Sequence, residues 1–156
     1  MKLYHGSTVD IQQIELAKSK PNKDFGRAFY LSDDRQQALE MAQFRAEFEE
    51  TEPVVNVYEF DEALFQEFRY KRFEAYTEEW AHFVYDHRTE PHGRTLHDYD
   101  IVYGPIANDR VGAQIARYKQ GYITFYEFLR RIQYIKGITF QYAFCTQRAI
   151  DKLIKK

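Results

Sequence analysis

Within residues 24–34, DFGRAFYLSDD, the chain must pass from loop to strand to helix with almost no slack. Gly26 marks a turn, and Ala28-Phe29-Tyr30-Leu31 is a short aromatic-aliphatic run suited to a strand. Ser32-Asp33-Asp34 then starts a helix. The serine hydroxyl can accept from a free amide of the first turn, and the two aspartates favour the positive end of the helix dipole. Such a junction presents one side chain, Tyr30, beside a ring of polar groups.

The remaining punctuation alternates strands and helices without a strict βαβ rhythm. Lys2–His5 is an expected strand ending at Gly6, and Ser7–Lys23, broken by Pro21 and Asn22, an expected loop over a cleft. After the strand Arg27–Leu31, a helix is expected from Asp33 to Glu50, with Ala38, Leu39, Met41, Ala42, Phe44 and Phe48 as its apolar stripe. Val54–Phe60 alternates as a strand, Asp61–Leu64 is a turn or short helix, and Phe68–Phe73 is extended. Thr77 caps a helix to Arg88 that carries Trp80, Phe83 and Val84 inward, and Thr89–His97 is a loop. Tyr99–Tyr103 is a strand stopped by Gly104-Pro105, and Val111–Lys119 a helix stopped by Gly121. Thr124 and Glu127 form a capping box, with Phe128, Leu129, Ile132 and Ile135 inward and Gly137 as the stop. Ile138–Cys145 is a strand, and Thr146 caps a last helix to Ile154. This order predicts one α+β domain over residues 1–156 rather than a doubly wound parallel sheet.

Charge and cysteine content narrow the setting. A net charge of -2 offers no general attraction to nucleic acid or anionic membrane. The Arg130-Arg131 pair and the lysines at 152, 155 and 156 read as solvated faces, too few for a nucleic-acid groove. The single cysteine, Cys145, allows no intrachain disulfide and lies in an apolar run, so it is expected buried rather than nucleophilic. No apolar run reaches membrane-span length, and a reducing cytoplasm is the expected location. His82, His87, His92 and His97 recur every five residues, which on a helix turns about 140° and keeps no common face for a metal. Thirteen Tyr and thirteen Phe can build an aromatic core, a stacking pocket for a planar ligand, or both.

Three short motifs lie on three expected strands: Tyr4-His5-Gly6-Ser7, Gly26-Arg27-Ala28-Phe29-Tyr30-Leu31-Ser32 and Phe140-Gln141-Tyr142. Together they resemble the ADP-ribosyltransferase superfamily, in the branch marked by His, Tyr and Glu on successive core strands. Poly-ADP-ribose polymerases and diphtheria-type toxins belong to that branch. The second motif is similar to its Gly-x-Gly-Ile-Tyr-Phe run, with Ala28 in place of the second glycine. With Tyr99–Ala107 and Gln141–Thr146 added, nearly the whole chain resembles a bacterial family of unknown function, placed in the same superfamily and often found in toxin–antitoxin-like loci.

The resemblance implies a split, mixed β-sheet core with flanking helices and a cleft for NAD as substrate. His5 would bond the adenosine ribose, Gly6 would let its backbone clamp the nicotinamide carboxamide, and Ser7, Tyr4 and Gly26 would line the cleft. Tyr30 would stack on the nicotinamide ring, with Ser32 near the amide; a pyridinium on an aromatic face gains about 0.5–2 kcal/mol. Gln141 stands where the signature has glutamate, keeping an acceptor for the ribose 2′-hydroxyl but not the charge. Two unit charges at about 4 Å interact by about 4 kcal/mol at an effective dielectric of about 20, roughly a thousandfold in rate. Asp24 and Asp100, loop- or strand-edge acids, are candidates to supply the missing charge. Arginine-modifying toxins carry an acid two residues before this position; Thr139 stands there, so arginine is not the expected target. The activity implied is mono-ADP-ribosyl transfer to a macromolecular acceptor, protein or nucleic acid, by a toxin with an antitoxin partner. The alternatives are NAD glycohydrolysis and a catalytically silent NAD- or ADP-ribose-binding module.

Overall fold

The computed structural model describes residues 1–135 and 137–156. Its strands are β1 (Lys2–Ser7), β2 (Phe29–Leu31), β3 (Val54–Glu59), β4 (Tyr70–Arg72), β5 (Ile101–Pro105), β6 (Phe140–Phe144) and β7 (Ile154–Lys155). Its α-helices are α1 (Arg35–Glu49), α2 (Glu78–Thr89), α3 (Val111–Lys119), α4 (Phe125–Arg131) and α5 (Gln147–Ile150), with short 3-10 helices over Leu16–Lys18 and Glu62–Glu67. The strands form an antiparallel sheet β1-β3-β7 and a mixed sheet β2-β6-β5-β4, in which β4 and β5 run parallel. The fold is α+β, as the order of elements predicts. The two sheets touch where Tyr4 and Ser32 exchange backbone hydrogen bonds of 2.7 and 2.8 Å.

Both faces of the mixed sheet are buried, which explains the nearly unbroken apolar runs of β5 and β6. Ile101, Tyr142 and Phe144 join Leu3, Tyr58 and Phe60 in a core shared with the other sheet. Val102 and Ala143 face a second core with Trp80 and Val84 of α2, Val111 of α3 and Phe128 of α4. Among the described residues no helix is long and apolar enough to cross a membrane.

The caps follow local sequence. Thr77, Thr124 and Thr146 accept from the amides of Trp80, Glu127 and Ala149 at 3.1, 3.1 and 3.3 Å. At α1 the cap is Asp34, which accepts from Gln36 N at 2.9 Å, while Ser32 accepts from Asp34 N one step earlier. Glu127 spends its carboxylate on Arg130 and Arg131, 2.9 and 3.3 Å away.

Long-range packing changes other expectations. On α1 the buried face is Ala38, Ala42 and Ala46, whereas Met41, Phe44 and Phe48 are 51, 71 and 87 % exposed. The helix lies so close to β1 that only small side chains fit between them. β5 runs on through Gly104 and Pro105, which pair with Gln141 and Phe140; proline is tolerated there because it ends the strand. α4 stops at Arg131, leaving Ile135 fully exposed. The last helix stops at Ile150, and the chain then adds β7 beside β3.

Candidate functional site

The turn ahead of β2 organises the candidate site. Gly26 takes φ +88°, a left-handed value that favours glycine, and its amide donates to Lys23 O at 3.0 Å. The Tyr30 hydroxyl reaches back to this turn. It donates to Gly26 O at 2.8 Å and accepts from Phe25 N at 2.9 Å. Burial, and then the charge of Asp24, raises the Tyr30 phenol well above its ordinary range, so it stays neutral.

Asp24, on the same turn, is 5 % exposed. Its Oδ1 accepts from Arg88 Nε at 2.8 Å and pairs with Arg88 Nη2 at 2.6 Å. Its Oδ2 accepts from Gln141 Nε2 at 3.3 Å and from Ala107 N at 3.4 Å. Tyr30 pairs with Ala143, two residues from Gln141, so Tyr30 and Gln141 share one face of the mixed sheet. Asp100, the other acid considered from sequence, is remote from this group. It accepts from Arg69 N, Thr146 Oγ1 and Arg148 Nη2 at 2.9, 2.8 and 2.7 Å, a clip between β4 and α5.

His5 approaches from β1. Its Nδ1 donates to Tyr30 O at 2.7 Å, which leaves Nε2 as the acceptor nitrogen. Its ring stacks on Phe29 at 4.3 Å, and Phe29 lies on the opposite face of β2 from Tyr30. Burial lowers the His5 pKa, so the ring is neutral at pH 7. The backbone thus brings together His5, Tyr30, Ser32 and Gln141 across three neighbouring strands, with the His5 and Tyr30 rings on different sides. Tyr4 and Ser32 are the bridging pair. The Ser32 hydroxyl donates to Gln37 Oε1 at 3.0 Å, and Ser7 Oγ accepts from Val9 N at 3.3 Å.

Gly6 has a packing duty that sequence alone does not reveal. A Cβ there would lie 2.1 Å from Ala38 O and 2.8 Å from Ala42 N, both backbone atoms of α1. Arg88 is the other residue missed: as one of many basic residues at a helix end it carries no motif, and its partner is 64 positions away. Neither of two surface hollows, of about 430 and 560 Å³, is lined by His5, Tyr30 or Gln141.

The spaced histidines divide by role. His87 Nδ1 donates to Phe83 O at 2.8 Å while Nε2 accepts from Leu96 N at 2.9 Å. His97 Nε2 donates to Phe25 O at 3.0 Å while Nδ1 accepts from Tyr99 N at 3.0 Å. Both are neutral struts beneath the turn that bears Asp24, and protonating either breaks an accepted hydrogen bond. Burial holds both pKa values below 6.5. Folded pKa values below the unfolded one mean that the unfolded chain binds more protons, so stability falls as pH drops through about 6.5. The melting temperature is expected to decline from about pH 7.5 to about 5.5, with a shallower decline in His97→Gln; a flat profile in the wild type refutes the struts.

The family model for proteins of unknown function, DUF3990, matches residues 1–155. No curated protein and no solved structure matches the chain. Turn, strand junction and buried acid therefore sit within one full-length match, and the chain belongs to the DUF3990 family of proteins of unknown function.

Proposed function

We propose that the protein is an NAD-dependent mono-ADP-ribosyltransferase that acts on a macromolecular acceptor. One observation carries this beyond motif resemblance: a buried carboxylate, Asp24, stands 3.3 Å behind Gln141. A carboxylate only accepts, so the atom facing it is the amide Nε2, and Oε1 is left as an acceptor for the ribose 2′-hydroxyl of NAD. Asp24 thus fixes the amide and returns negative charge near the position where the signature keeps a glutamate. In the reaction the bond from ribose C1′ to the nicotinamide nitrogen breaks and its electron pair leaves with nicotinamide. The cationic sugar is then captured by an acceptor nucleophile, which loses its proton. The neutral Tyr30 ring supports stacking on the charged pyridinium, and His5 Nε2 suits a hydroxyl of the adenosine ribose.

An antitoxin-like protein partner belongs to the same reading. The uncovered Met41–Phe44–Phe48 stripe of α1 supports it, because exposed apolar stripes commonly mark contact surfaces. The pairing of Asp24 with Arg88 favours the second reading, a silent NAD-binding module, because the guanidinium offsets the carboxylate's charge.

The test is nicotinamide release from NAD by purified protein beside Tyr30→Ala and Gln141→Glu. Release by the wild type, reduced about tenfold in Tyr30→Ala and raised in Gln141→Glu, is the expected result. Release with free ADP-ribose and no labelled acceptor makes the protein a glycohydrolase. NAD binding with no release in any of the three leaves the binding module, and absence of NAD binding overturns both.

A further inference from the structure

One stretch of the chain carries a local excess of positive charge. Residues 108–135 carry Arg110, Arg117, Lys119, Arg130 and Arg131 against Asp109 and Glu127, a local net of +3 in a chain of net -2. Most of these residues lie on or beside α3 and α4, which meet through Tyr118 against Phe125 and Phe128 at 5.5 and 5.9 Å. The hollow of about 560 Å³ opens here, walled by Asn108, Arg110, Gln114, Arg130, Arg131 and Tyr134. Glu127 holds the Arg130 and Arg131 guanidinium groups and neutralises one charge of the two.

Tyr134 lines this hollow and is 40 % exposed, and Tyr126, 71 % exposed, stands one turn before Arg130 on α4. Positive charge that follows phosphates, interleaved with rings on which unpaired bases stack, is the pattern of single-strand binding. Paired bases would leave such rings unused. Gln114 adds a buried Oε1 with no hydrogen-bond partner among the described residues. A rotation of its amide would let a base amino group satisfy that oxygen.

The hollow also lies beside the candidate site. Ala107, whose amide donates to Asp24, directly precedes Asn108 at its wall. The Tyr134 amide donates to the Tyr76 hydroxyl at 3.4 Å, and that hydroxyl donates to Ile106 O at 3.5 Å.

We propose that the α3–α4 face binds single-stranded nucleic acid, with one nucleotide seated in the hollow and its phosphate on Arg110 and Arg131. Binding needs no NAD; identifying the strand as the acceptor rests on the transferase reading above.

Fluorescence anisotropy of a labelled mixed-sequence single strand of about 15 nucleotides, RNA or DNA, tests this without NAD. Phosphate neutralisation by Arg110 and Arg131 predicts roughly sevenfold weaker binding between about 50 and about 200 mM salt. Arg131→Gln is expected to flatten that salt dependence by about one phosphate's share, and Tyr126→Ala to weaken binding about tenfold. Both side chains are at the surface, and melting curves matching the wild type establish that the variants fold. The proposal is overturned if no strand binds at about 50 mM salt, if both variants bind as the wild type does, or if a polyglutamate peptide displaces the strand at equal concentration. Binding that survives in Tyr30→Ala, with no ADP-ribose transferred to the strand by the wild type, sinks the nucleic-acid acceptor alone and leaves the surface standing.

Discussion

A Gly6→Ala protein is expected to lose most of its stability. The added methyl would sit 2.1 Å from Ala38 O and 2.8 Å from Ala42 N. Both are backbone atoms of α1, so no side-chain rotation relieves the clash. Relief requires lifting α1 from β1, which opens the contact made by Ala38, Ala42 and Ala46 and strains the Tyr4–Ser32 bridge between the sheets. Overpacking within a core usually costs about 1–3 kcal/mol; a clash between backbones belongs at the exceptional end, about 4 kcal/mol. Against a total of about 5–15 kcal/mol for an ordinary domain, that leaves little. Urea unfolding followed by circular dichroism measures it. A midpoint equal to the wild type's would mean that α1 yields easily and that the packing account of Gly6 is wrong. A glycine needed solely for ligand approach would give that second outcome with weakened NAD binding, so the one variant separates the two duties.

The features legible in the sequence are those decided within a few residues. The threonine caps at 77, 124 and 146 need a hydroxyl and an amide three positions on, and both are in view. The strand at Phe29–Leu31 follows from aromatic content and turn chemistry, whereas its pairing beside Tyr142 is set by the fold. The apolar stripe of α1 was hidden because burial depends on what the helix meets. Phe44 and Phe48 are more hydrophobic than Ala42, yet the close approach at Gly6 admits only the alanines. β7 could not be foreseen from two residues without the β3 edge that receives them. Pro105 reads as a stop until its place at the end of β5 is known. At the site, His5, Tyr30 and Gln141 stand out by resemblance and Asp24 as an acid able to supply charge, but its place behind Gln141, 117 positions away, and its arginine on α2 come from the fold.

That acid sets the sharpest test of the chemistry. Asp24→Asn keeps the shape of the side chain and removes its charge. Arg88 then faces a neutral amide, and the Gln141 amide loses the acceptor that fixes its orientation. Removing one partner of a buried ion pair costs about 3–5 kcal/mol; Arg88 remains partly solvated, at 29 % exposure, so the stability loss belongs near the lower figure. Nicotinamide release is expected to fall about thirtyfold, the rate equivalent of the roughly 2 kcal/mol that a charge about 8 Å from the cationic sugar supplies at an effective dielectric of about 20. A structural role alone would also lower activity, so the decisive protein is the double variant Asp24→Asn, Gln141→Glu. It places a carboxylate on β6 itself and a neutral amide behind it. If Asp24 acts by charge, release recovers well above that of Asp24→Asn while the melting temperature stays low. If release remains as low as in Asp24→Asn, Asp24 is a strut for the turn that carries Tyr30, and the charge needed at the ribose must come from elsewhere.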